Sequence, residues 1–204
     1  MVRHSAATQA ETRARVLEAA FDEFSSRPFS KVSIDDVAAR AGFTKGAVYS
    51  NFASKRDLLF SVLEQYIDDV GTDYVSATVD GRVDDIATAV GDRAGRTGRD
   101  TLRYFRVLSA VWTEAMHDDE LAERLRAFRR AHRDRIAAAV VERGSAVGID
   151  LSDVADDLSI GIIAMSVATF FETAIDPDVD PARVHRTMID LIVAGVLATR
   201  GDSA

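Results

Sequence analysis

Between Ser33 and Lys55 the chain gathers small hydroxyls, two lysines, a tyrosine and an asparagine around a turn glycine. The hydroxyl of Ser33, with Asp36 three residues on, makes a capping-box arrangement that starts a short helix with Ile34, Val37, Ala38 and Ala41 turned inward. Gly42 ends that helix, since glycine readily takes the left-handed conformation of a C-terminus. Thr44 then caps a second short helix running through Asn51, with Ala47 and Val48 inward. A short helix, a glycine turn and a second short helix form a helix-turn-helix, whose second helix enters the major groove. Thr44 and Lys45 stand where free backbone N–H groups and the helix dipole favour a phosphate. Gly46 carries no side chain, so a backbone or base can come close. Tyr49, Ser50 and Asn51 offer hydroxyl and amide groups on the outer side, while Val48 and Phe52 face inward. Lys55 opens the next helix, which Ser54 and Asp57 cap.

Other helices must hold this unit in place. Leu17, Ala20, Phe21 and Phe24 follow helical spacing, and Ser25-Ser26 with Pro28 stop that first helix. Leu58, Leu59, Val62, Leu63, Tyr66 and Val70 make one apolar stripe of a long helix that ends at Gly71 or runs on to about Val79. A helix over Arg82–Val90 and a loop from Gly91 to Arg99 follow. Next come a helix carrying Leu102, Phe105, Leu108 and Trp112, and one from near Asp118 carrying Leu121, Leu125, Phe128, His132, Ile136 and Val140. Another starts at Ser152 and includes the apolar run Leu158–Phe171. The last opens on Asp180 as cap with Pro181 at its first position, and its stripe is Val184, Met188, Leu191, Ile192 and Val196. The expectation is an all-α fold of about nine helices without a sheet. A three-helix helix-turn-helix domain covers residues 1–57, and a second helical domain covers 58–204.

Composition narrows the function. The 204 residues include no cysteine, which excludes disulfides, thiolate metal sites and a cysteine nucleophile. The net charge of −8 argues against nucleic acid, yet residues 1–57 hold nine basic and seven acidic groups, a net of +2, and all three lysines. Met1–Gln9 has no apolar core for a signal, and the 14-residue run Leu158–Phe171 is short of a membrane span. A cytoplasmic protein without a membrane partner is expected. The Gly91–Arg99 loop lacks the Gly-Lys-Ser/Thr ending of a phosphate cradle. Asp176, Asp178 and Asp180 mimic calcium-loop ligands, but Pro181 stands at the required glycine. The arginines from Arg124 to Arg135 read as a solvated helix face beside Glu120 and Glu123. The histidines are scattered, and no catalytic or metal constellation is found.

Thr12–Phe24, Val32–Ala38, the run from Ala41 to Phe52, and Ser54–Leu59 together resemble the TetR family of transcriptional regulators. The resemblance covers about the first 60 residues; beyond them only helix number and length agree. It implies a homodimer, joined by its last two helices, that binds a partly palindromic double-stranded DNA operator and releases it when a small-molecule effector enters the C-terminal domain. By position it implies phosphate contacts from Ser33, Thr44, Lys45, Tyr49, Ser50 and Lys55, with Lys45 also near a base. Gly46, Ala47 and Asn51 lie where the family approaches base edges. Many members carry histidine or an aromatic where Ser50 and Asn51 stand, so no operator sequence transfers. Tyr49 also reads as a half-buried aromatic bracing the first helix against the third. Tyr66, Phe105, Trp112, Phe128, His132, Met165 and Phe170 are candidates to line the effector site, although such spacing also suits ordinary core. No cofactor is implied. The alternatives are a helical small-molecule-binding protein without DNA recognition and a helical enzyme using His132.

Overall fold

The two short helices form because side chains close their ends. Ser33 Oγ accepts the Asp36 N–H at 3.1 Å, and the Asp36 carboxylate accepts the Ser33 N–H at 2.8 Å. This reciprocal pair starts α2 (Ile34–Ala41), which buries Ile34, Val37, Ala38 and Ala41. Gly42 ends it at φ 74°, with the Phe43 N–H returning to the Ala38 carbonyl at 2.9 Å. Arg15, on α1 (Val2–Ser26), donates to the Ala41 carbonyl at 2.8 Å and lies 4.8 Å over the Phe43 ring, so the turn is pinned from outside. Thr44 Oγ1 accepts the Ala47 N–H at 3.2 Å and opens α3 (Lys45–Tyr49). That helix stops before the expected Asn51. Ser50 Oγ and Asn51 Nδ2 both donate to the Ala47 carbonyl, at 2.8 and 2.9 Å, so side chains take over from the backbone ladder.

The computed structural model describes residues 2–65, 98–176 and 178–200. Beyond α3 it holds α4 (helical over 55–65), α5 (Gly98–Ala115), α6 (Asp119–Ala146), α7 (Ala155–Ile175) and α8 (Pro181–Arg200). A single turn of 3-10 helix, Phe29–Lys31, follows α1. Eight α-helices and no strand are therefore seen among the described residues, in place of nine. The helix expected at 82–90 and the choice of end between Gly71 and Val79 lie outside the described residues. Helix α7 starts at Ala155 rather than Ser152, because Ser152 spends its N–H on the Asp150 carboxylate at 2.9 Å in the preceding turn. Asp180 caps α8 as expected, accepting the Arg183 N–H at 3.2 Å. The 14-residue apolar run sits inside a 21-residue helix, so by length and composition α7 could cross a membrane, contrary to the reading of the run alone.

Packing divides the chain into two units. The first comprises residues 1–68 and 103–126, reaching past the expected boundary at 57. Its core joins Val16, Leu17, Ala20 and Phe24 of α1 to Val37, Val48, Phe52, Leu58, Leu59 and Leu63, and also holds Val107, Leu108 and Val111 of α5. Arginines tie its parts together. Arg103 donates to Ser25 Oγ at 3.0 Å and to Asp22, and stacks on Phe21. Arg56 reaches Glu114 at 2.9 Å, and Arg124 reaches Asp57 at 2.8 Å while lying 4.3 Å over Phe60. The second unit, residues 69–102 and 127–204, contains α7 packed on α8, with Ile136, Ala139, Ala155 and Ile163 buried.

Replacing Gly42 by alanine forces a β-carbon into the left-handed region and to 3.2 Å from Arg15 Nη2. Urea denaturation should show a loss of about 1–2 kcal/mol. An unchanged midpoint would mean that the turn relaxes to another conformation.

Candidate nucleic-acid interface

Helix α3 is only five residues long, and its outer face is open. Thr44, Lys45, Gly46, Tyr49 and Ser50 are exposed, and Ala47 is half-buried. Val48 is fully buried and Phe52 nearly so, which anchors the inner face. Tyr49 leaves 48% of its surface open and so stands between the outward and bracing roles foreseen for it. A β-carbon on Gly46 would meet nothing closer than Thr44 Oγ1 at 3.8 Å, so no neighbour among the described residues requires glycine there. Ser33 is exposed at the start of α2, and its hydroxyl is engaged with Asp36 Oδ2 at 2.7 Å.

The polar side chains are less free than their spacing suggests. Lys45 Nζ donates to Asp35 Oδ2 at 2.8 Å, and this hydrogen bond and charge raise the lysine above its ordinary pKa. Asn51 turns its amide back onto α3, with Nδ2 donating to the Ala47 carbonyl at 2.9 Å. Lys55 donates to the Phe29 carbonyl with its ammonium 3.9 Å from the Phe29 ring centre. Burial lowers its pKa, with Glu114 opposing that shift. An ammonium has three donors, so Lys55 keeps N–H groups for a further acceptor.

Charge is balanced around this face by contacts the sequence did not reveal. Glu23 is buried, which by itself would raise its pKa, yet Arg40 at 2.6 Å and Arg27 hold it below the usual value. Arg27 also reaches Asp36 at 3.2 Å, and Arg40 reaches Asp22 at 3.5 Å. Asp35, in a first helical turn where an acid offsets the dipole, also meets Lys45, and Asp36, the capping-box partner of Ser33, also meets Arg27. Arg124 likewise leaves its solvated-face role for Asp57, whereas Arg126 keeps its local partner Glu123 at 2.6 Å.

The candidate effector residues fall in both units. Phe105 is buried and Trp112 is 39% exposed in the first; Phe128, His132 and Met165 are half-buried in the second. Tyr66 lies outside the described residues, as does the side chain of Phe170. His132 Nδ1 is buried without a hydrogen-bond partner among the described residues. Burial first, then the charges of Arg135 and Arg129, lower its pKa to about 4, so the ring is neutral at pH 7.

Residues 16–62 match the family described as "Bacterial regulatory proteins, tetR family". Over 63 residues the chain is similar, at 41% identity, to the HTH-type transcriptional regulator SrpR of Pseudomonas putida. That stretch covers 31% of this chain and 30% of SrpR, under a third of either length. The whole fold is similar to a crystal structure of a transcriptional regulator from Rhodococcus sp. Rha1, with a TM-score of 0.69 and 20% identity over 92% of this chain and 97% of that one. It is also similar to the complex of SmeT, from Stenotrophomonas maltophilia, with triclosan, with a TM-score of 0.69 and 21% identity over 93% of this chain and 91% of that one.

The buried imidazole gives a pH signature. Its folded pKa lies below the unfolded value of about 6.5, so the unfolded chain takes up the proton first. The associated stability is fully present above about pH 6.5 and is lost as pH falls toward 4. Between pH 7.5 and 4, His132→Leu should lose on the order of 2 kcal/mol less than the wild type in chemical denaturation. Equal losses would place the unprotonated ring elsewhere than in this buried setting.

Proposed function

We propose, from the match of residues 16–62, that the chain belongs to the tetR family of bacterial regulatory proteins and is a cytoplasmic transcriptional repressor. In this reading it binds a partly palindromic operator as a homodimer and is released by a small molecule. The observation that carries the DNA-binding part is the open face of α3, where Gly46 has room for a side chain and none is present. A groove-entering helix has a use for that missing atom, because the backbone can then approach a base or phosphate closely. Two copies about 34–36 Å apart would read successive major grooves on one side of the duplex.

The dimer reading is supported by α7 and α8. Gly161, Ala164, Ala168, Phe171 and Ile175 recur every three or four residues along α7 and are all exposed, Ile175 at 82%. On α8, Leu191 is 62% exposed and Met188 is exposed too. Among the described residues a β-carbon at Gly161 or Gly195 would meet nothing within 4 Å, so these glycines relieve no crowding there. Stripes of this kind suit close helix packing against a second copy. We assign the exposure to that seam rather than to lipid, because α7 also carries Asp156, Asp157 and Glu172.

Release follows if the effector has unequal affinity for the DNA-bound and free states. The first turn of α4 is the element we expect it to bias. Arg56 and Asp57 sit there, four and five residues beyond Phe52, and are held by Glu114, Asp118 and Arg124. Triclosan, which SmeT binds, is a reasonable first probe for the effector site.

DNA flanking the protein's own coding region should be retarded by the wild type in a gel-shift assay. Gly46→Ala should raise stability by about 0.5–1 kcal/mol while weakening that binding tenfold or more. Equal DNA binding by the variant would remove α3 from the interface. Gly161→Lys gains a favourable pairing with Asp157 one turn before it and should reduce the sedimenting species from two chains to one. A persisting dimer would place the seam elsewhere.

A further inference from the structure

Lys45, at the opening of α3, already has an anionic partner. Its ammonium is 2.8 Å from Asp35 Oδ2, and the two side chains are 52% and 64% exposed. Asp35 lies in the first turn of α2 and Lys45 ten positions later, so the pair spans the turn of the helix-turn-helix on its solvent side. No other polar contact engages the Asp35 carboxylate among the described residues.

Building on the DNA-binding reading, we propose that Asp35 is a specificity residue: its carboxylate takes the place of a DNA phosphate on Lys45, so that duplex of arbitrary sequence gains little from that lysine. Binding to arbitrary DNA draws almost wholly on contacts between cations and phosphates. Exchanging a carboxylate for a phosphate replaces one charge-assisted hydrogen bond by another and leaves the Asp35 charge close to the phosphate. At an operator, base contacts made by the seated helix offset that cost. The neighbouring cations are restrained in the same way, Arg27 by Glu23 and Asp36 and Arg40 by Glu23 and Asp22. Four of the nine basic groups in the first 57 residues, Arg27, Arg40, Lys45 and Arg56, thus already carry an acidic partner.

The test uses the full-length protein and its Asp35→Asn, Lys45→Gln and doubly substituted variants. Fluorescence anisotropy follows a random-sequence duplex and the retarded flanking fragment between 50 and 200 mM salt, and circular dichroism checks that each variant is folded. Asp35→Asn should tighten binding to the random duplex about fivefold and steepen its salt slope by about one unit. The flanking fragment should gain less, so the ratio of the two affinities falls. In the Lys45→Gln background the same change should do nothing, because its effect passes through the lysine. The proposal is overturned if Asp35→Asn leaves random-duplex binding or the affinity ratio unchanged, or if its gain survives without Lys45, which would make Asp35 merely a distant charge. A wild type that fails to retard the flanking fragment would overturn the DNA-binding reading and this proposal together, whereas wild-type binding that is indifferent to Asp35 overturns the proposal alone.

Discussion

A helix of five residues cannot stand alone in water, because closing its first turn costs more conformational freedom than its few hydrogen bonds return. Every outward group on α3 therefore depends on contacts made behind and beside that helix. Val48 and Phe52 sink into a core shared with α1, α2 and α4, Thr44 satisfies the first orphan N–H, and Ser50 and Asn51 close the far end. Arg15 ties the carbonyl of Ala41 and the ring of Phe43 to α1, so the angle between the two short helices is set by a residue about 26 positions upstream. The outer face can then be open and sparsely substituted without loss of shape.

The same frame sets how much charge the head of this acidic chain presents. Its head holds a nearly balanced set of charges, and most of the pairs join different elements, Arg27 with Glu23 one turn before it being the local exception. Arg27 and Arg40 converge on Glu23 from α1's end and α2, and Lys45 meets Asp35 across the turn. Such exposed pairs contribute modestly to stability. Their larger consequence is electrostatic, since they limit the field that would draw the head to any phosphate backbone.

A second group of pairs gives the first unit its unexpected extent. Asp57 and Arg56 begin α4 and are gripped by Arg124 of α6, Glu114 of α5 and Asp118 between them, while Arg103 and Arg106 hold the end of α1. Residues 103–126 consequently belong with the head in packing terms, although they lie far from it in sequence. The boundary drawn at residue 57 from the change in charge follows composition; the packing boundary follows these arginines.

Local order was readable from the chain alone. The Ser33–Asp36 box, the Gly42 turn, the Thr44 cap and the inward Val37, Ala38 and Val48 are rules acting over three or four residues, and they place the two short helices directly. Pairings over ten to eighty residues were not readable, because Asp35, Arg15 and Arg124 carry no mark of the element they will meet. Asp35 has the same sequence signature as any first-turn acid, and Arg124 looks like any arginine on a solvated face. His132 was visible as a histidine on an apolar stripe, but only packing could leave its Nδ1 buried and unmatched. The chain thus specified by itself where helices start, stop and turn inward, since those choices are settled by neighbours a turn away. Folding decided which charges cancel and which helices pack as one unit, since those depend on distances that exist only once the core has closed.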